Sequence, residues 1–181
     1  MSRMRRLTAL IFATGVLAGC AGAPSATRKP PPPPPRADAG TAASAHANLT
    51  AASATLASGR IVLRAEPGGV RLSGDVGGLS RNGAHVLQVH ARGDCSAIDA
   101  SSAGPWFDAS GSGALNGGSD RIVANERGVA HVDQLVPGAV LGGAAANDIA
   151  GRSLVVLGST AGATGARIAC GIITIAPPGA P

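Results

Sequence analysis

Cysteine and histidine are the side chains of this 181-residue chain best equipped for chemistry, and they are few: Cys20, Cys95 and Cys170, with His46, His85, His90 and His131. A cysteine offers a nucleophile, a disulfide or a soft metal ligand, and an imidazole offers a general base or a metal ligand. Spacing narrows these options. Residues two apart on an extended strand leave the same face, so in His85-Val86-Leu87-Gln88-Val89-His90 the side chains of Gln88 and His90 point one way and His85 the other. A metal site needs several convergent donors, and a lone imidazole is more often structural. Ser, His and Asp all occur, yet no nucleophile elbow G-x-S-x-G is present. There is no Gly-rich phosphate loop with Lys, and beyond residue 54 the chain has no lysine at all.

Cys20 has an address rather than a catalytic setting. Arg3, Arg5 and Arg6 precede an apolar run from Leu7 to Leu17, the layout of a secretory signal, and the run is too short to anchor in a bilayer by spanning it. Residues 1–19 read as that signal peptide. They end in Leu17-Ala18-Gly19 before Cys20, which resembles the bacterial lipobox, where the thiol is diacylated and the signal is cleaved ahead of it. The resemblance implies lipid on Cys20 and membrane attachment. Ala21 in place of Asp favours an outer-membrane location facing the periplasm. Residues 20–54, rich in Ala, Ser, Thr and Pro with a proline run from Pro30 to Pro35, read as a disordered tether with a stiff polyproline middle.

The net charge of +5 belongs to this leader. Residues 1–54 hold six Arg and Lys against Asp38 alone, whereas nine arginines face nine acids in the remainder. With no basic stripe, one Trp, two Phe and no Tyr for stacking, nucleic acid is not an expected partner.

The elements that position the other residues are strands. Residues 55–177 form one domain of ordinary size for a single core, with 178–181 as a tail. Ile61, Leu63 and Ala65 alternate with Val62, Arg64 and Glu66; beyond Pro67-Gly68-Gly69, Val70, Leu72 and Val76 alternate with Arg71, Ser73 and Asp75. Two such runs across a Gly-rich turn predict a hairpin. Further strands are expected at 85–90, 121–125, 129–132, 153–158 and 167–175, and no long helical period occurs. Residues 147–150 make one turn at most. The spacing predicts an all-β sandwich or barrel. In an oxidising compartment the even pair Cys95 and Cys170 suggests a disulfide; the alternative is two buried thiols.

One ordered series of residues is more specific. Gly83-Ala84-His85-Val86-Leu87-Gln88-Val89-His90, Gly93-Asp94-Cys95-Ser96, Ser102-Ala103-Gly104-Pro105-Trp106-Phe107, Gly151-Arg152-Ser153-Leu154-Val155-Val156-Leu157 and Ala166-Arg167-Ile168-Ala169-Cys170-Gly171 run in register with Cu/Zn superoxide dismutase, which the domain resembles. The resemblance implies an eight-stranded Greek-key β-barrel, the family's disulfide on Cys95 and Cys170, its active-site arginine on Arg167, and a homodimer. No other protein partner can be named.

The same resemblance locates the metal ligands. Copper in that family is held by four histidines, which fall on Gln88, His90, Trp106 and Leu157. Only His90 is a histidine. The zinc side has no histidine between Ala91 and Ala130, and Asp120 lies near the place of the zinc aspartate. His131 falls on a strand that the family does not use for metal, and His85 matches a family histidine that is not a ligand. The loops that steer the anion and carry zinc are short here, and the connection 159–165 is uncharged. The expectation is a dismutase-like envelope module without cofactor and without catalysis. The alternatives are a divergent dismutase using His90 with His85 or His131 as further ligands, or a weak copper binder in which His90 and Gln88 form part of an open site.

Overall fold

A computed structural model describes residues 40–112, 120–160 and 163–177. The signal segment, Cys20, the proline run and the tail lie outside the described residues. Among those described there are nine strands and one 3-10 turn: β1 (Ser44–Ala51), β2 (Ser58–Glu66), β3 (Gly69–Gly77), β4 (Ala84–His90), the turn Ser101–Ala103, β5 (Arg121–Val123), β6 (Ala130–Pro137), β7 (Ser153–Thr160), β8 (Ala163–Ile172) and β9 (Thr174–Ile175). Every strand pairing is antiparallel, in the order β5-β4-β7-β8-β1-β2-β3-β6, with β9 added beside β1. An isolated bridge between Ala124 and Ala130 brings the two ends of that order together, so the sheet is a nearly closed barrel of Greek-key type.

Alternation explains which side chains are inside. Ile61 and Leu63 of β2, Val70, Leu72 and Val76 of β3, Val132 of β6, Leu154 and Val156 of β7 and Leu87 and Val89 of β4 line one core. Each such aliphatic side chain stabilises the fold by roughly 1.5–3 kcal/mol when fully buried. The aromatic residues add little to it; Phe107 only borders this core. The β2–β3 hairpin keeps the predicted register, with Glu66 opposite Gly69 and Ile61 opposite Gly74. Its two-residue turn uses Pro67, whose ring fixes φ, and Gly68 at φ 88°.

The domain begins earlier than the sequence indicates. Residues 44–51, assigned above to the tether along with His46, form β1. Its first part, 44–49, pairs with β2, whereas Thr50 and Ala51 pair with β8. One strand therefore belongs to both halves of the barrel. Ala45, Ala47 and Leu49 are its buried positions. Two of the three are alanine, so the alternation carries little hydropathy contrast and resembles a small-residue linker. The strand near 129–132 is also longer than expected, running to Pro137. Its terminal proline occupies a strand end, where the missing N–H costs least. The run predicted at 167–175 divides at Ile173 into β8 and β9.

Candidate functional site

On the outward face of β4, β7 and β8, direct cross-strand partners stand side by side. Val86 is opposite Leu157, Gln88 opposite Val155 and His90 opposite Ser153. On the next strand Val155 is opposite Cys170, and Leu157 is opposite Arg167. Trp106, from the loop that follows the 3-10 turn, is joined to His90 by an isolated antiparallel bridge. Gln88, His90, Leu157 and Arg167 thus stand on neighbouring strands, with Trp106 joined to His90 by its backbone.

His90 is buried, and its Nδ1 lies 2.8 Å from the carbonyl oxygen of Gly104. A carbonyl can only accept, so the proton is on Nδ1. Nε2 of the same ring is buried without a hydrogen-bond partner. Burial pushes the His90 pKa below its ordinary value; the bond to Gly104 opposes that shift, and the charge of Arg167 adds to it. The guanidinium of Arg167 donates from Nη2 to the same Gly104 oxygen at 2.7 Å and from Nη1 to the Ala100 oxygen at 2.8 Å. Gly104 adopts φ 78°, and a Cβ there would lie 2.9 Å from Nε of Arg92. Both constraints favour glycine at the point that holds the imidazole and the guanidinium together.

Arg167 is therefore more than a solvated strand-end arginine. It ties the 100–104 segment to β8, and with Ser53, Asp99 and Ser101 it borders an open hollow of about 420 Å³. Hydrogen bonds from Ser101, with a smaller contribution from the Arg167 charge, hold the Asp99 carboxyl below the usual carboxylate range.

The other positions are engaged in different ways. Gln88 donates its side-chain N–H to Oδ2 of Asp120 at 2.6 Å. Leu157 packs against a small apolar cluster of Ala52, Ala100, Ala103, Val155 and Cys170. Trp106 is half-buried. Cys95 and Cys170 form a disulfide with their Cα atoms 5.7 Å apart, linking the loop after β4 to β8.

The remaining histidines lie elsewhere. His85 is buried on the opposite face of β4, as its parity predicts, with both ring nitrogens unpartnered. His131 is exposed on β6 and lies 3.1 Å from a carboxylate oxygen of Asp75 on β3. His46 is on β1. Neither His85 nor His131 joins His90. Among the described residues, no three of His, Cys, Asp and Glu gather closely enough to hold a metal ion. Sequence reasoning placed Asp120 near a metal position but missed its bond to Gln88. The two are separated by 32 residues, and no local motif couples them. It also missed Gly104 as the shared acceptor, which only the fold reveals.

Copper and zinc, the metals of the resembling family, do not suit this donor set. His90 supplies one imidazole lone pair. The indole of Trp106 is only a donor, Leu157 has no polar atom, and the Gln88 amide is turned to Asp120. Copper affinity depends on the number, type and geometry of ligands.

A family model described as copper/zinc superoxide dismutase matches residues 57–173, well over half of the chain. No curated protein matches the chain.

Proposed function

This chain belongs to the copper/zinc superoxide dismutase family, and on that premise we propose that it is a metal-free, non-catalytic dismutase-like module of the cell envelope. Lipid on Cys20 anchors it to the outer membrane on the periplasmic side. The barrel serves there as a binding or structural domain.

The observation that carries this reading is the state of the four copper positions. One is an imidazole already tied to Gly104, one is an amide donating to Asp120, and two lack a lone pair that copper could use. A dismutase must bind and release electrons at a metal held in fixed geometry. Where a polar metal cluster is given up, its lining must find other partners. Gln88 meets that need with Asp120, and Leu157 meets it by packing on the disulfide cluster. The test is metal content and superoxide consumption after the full-length chain is refolded with Cu(II) and Zn(II). The expected result is less than stoichiometric copper and no consumption above free-metal controls. Stoichiometric copper that survives dialysis, together with dismutation, would overturn the proposal.

A second reading follows from the unpartnered Nε2 of His90, a buried lone pair that could accept a copper ion weakly. It requires copper binding by calorimetry at micromolar concentration that His90→Ala abolishes, with no superoxide consumed.

A further inference from the structure

The face of the barrel formed by β1, β2, β3 and β6 carries its charges unevenly. Outward residues follow the register: Ser44 is opposite Arg64, His46 opposite Val62 and Asn48 opposite Arg60. On the other side of β2, Arg64 is opposite Arg71, Val62 opposite Ser73 and Arg60 opposite Asp75. The carboxylates of this face are occupied towards β3 and β6. Arg71 takes Glu66 at 2.9 Å and Asp133 at 2.7 Å. Asp75 is taken by His131. Towards β1 the arginines have nothing. Among the described residues neither Arg60 nor Arg64 makes an ion pair or a side-chain hydrogen bond.

These two arginines line the same hollow. It has a volume of about 110 Å³ and is bordered by Ser44, His46, Arg60, Val62, Arg64 and Pro177. One water needs roughly 10–15 Å³ measured in this way, so the hollow admits a group well above that size. Ala176 and Pro177, just beyond β9, supply one wall: Thr174 is opposite His46, and the Ala176 amide donates to the Ser44 carbonyl at 3.0 Å. Arg60 and Arg64 stand four positions apart on β2, roughly 13 Å between their Cα atoms, with Val62 and His46 between them along the lining. Arginine side chains are long enough for both to reach a ligand held in the hollow they border.

The geometry points to an oxyanion site for a phosphate monoester on the β1–β2 face, gripped by Arg60 and Arg64 with His46 and Ser44 as additional polar contacts. Guanidinium forks match phosphate oxygens in pairs. Two of them facing one hollow with no acid between suit a doubly charged group better than a single carboxylate. The site lies on other strands of the barrel than His90 and does not depend on whether metal is bound there. A monoester can come from a soluble molecule or from a lipid headgroup such as phosphatidic acid, and both offer the same terminal phosphate.

The experiment is calorimetric titration of the full-length chain with inorganic phosphate at low ionic strength, where exposed charges are least screened. Saturable one-to-one binding is expected. Arg60→Gln/Arg64→Gln should weaken it by about tenfold or more, whereas Arg121→Gln, an exposed arginine on β5, should leave it unchanged. Arg60→Lys/Arg64→Lys keeps the charge and removes the forks, and should bind more weakly than the natural chain while unfolding cooperatively like it. Phosphatidylcholine vesicles with and without phosphatidic acid distinguish the sources. Arginine-dependent retention on the acidic vesicles, reversed by inorganic phosphate, assigns the lipid; phosphate binding without retention assigns a soluble ester. No saturable phosphate binding, or binding equally tight in the double glutamine variant, overturns the site.

Discussion

The carbonyl of Gly104 accepts from both His90 and Arg167, and so holds a buried imidazole beside a guanidinium. Burial depresses the His90 pKa, so between its ordinary and its depressed value the unfolded chain binds a proton that the folded chain does not. The contribution of His90 to stability is then fully present above the ordinary imidazole value and is lost as pH falls towards the folded one. The urea midpoint is expected to drop between about pH 7 and about pH 5. Asp94 and Asp99, whose pKa values are lowered chiefly by hydrogen bonds from Ser96 and Ser101, stay ionised through that window. His90→Gln, which can still donate to Gly104, should flatten part of the slope, and equal slopes in the two chains would contradict this origin. At this scale the sequence was partly legible. Strand parity separated His85 from His90, and the family resemblance singled out Gln88, Trp106, Leu157 and Arg167. The bond from Gln88 to Asp120 was not legible, because the two lie 32 residues apart and meet only once β4 is paired with β5.

Among the elements, β1 has the largest structural consequence for its modest hydrophobicity. It pairs with β2 over 44–49 and with β8 at Thr50 and Ala51, and so joins the two halves of the barrel. A chain starting at residue 55, the boundary that composition suggested, would leave edges of β2 and β8 unpaired and remove Leu49 from the core. Such a chain is expected to unfold without a cooperative transition when followed by circular dichroism in urea, whereas one starting at residue 40 should keep a sharp transition. A cooperative transition in the shorter chain would show β1 to be dispensable. The β2–β3 hairpin was legible because Ile61, Leu63, Val70, Leu72 and Val76 contrast with charged neighbours across a Pro-Gly turn. β1 was not, since alanine at 45 and 47 is neither strongly apolar nor a strong strand former. Backbone pairing on two sides does for β1 what large side chains do for β2.

For the molecule as a whole, the disulfide between Cys95 and Cys170 closes a sequence separation of 75 residues in a barrel whose core is almost wholly aliphatic. In the chain-entropy model a loop of that length stabilises the folded state by roughly 4 kcal/mol. Cys95→Ala/Cys170→Ala is expected to lose about that much in denaturant unfolding, and a loss under about 1 kcal/mol would show that the unfolded chain is already compact. The redox argument and the family resemblance both indicated this pair before the fold was known. One further feature concerns where the chain enters and leaves. The carbonyl of Ser44 accepts the amide of Ala176, so the first strand and the last few described residues are fastened to each other by backbone. The β1–β9 pairing extends the same fastening along the strand, from Ser44 to His46. A pull on one end is borne first by the other, and whatever is fused before residue 44 or after residue 177 emerges from the same seam.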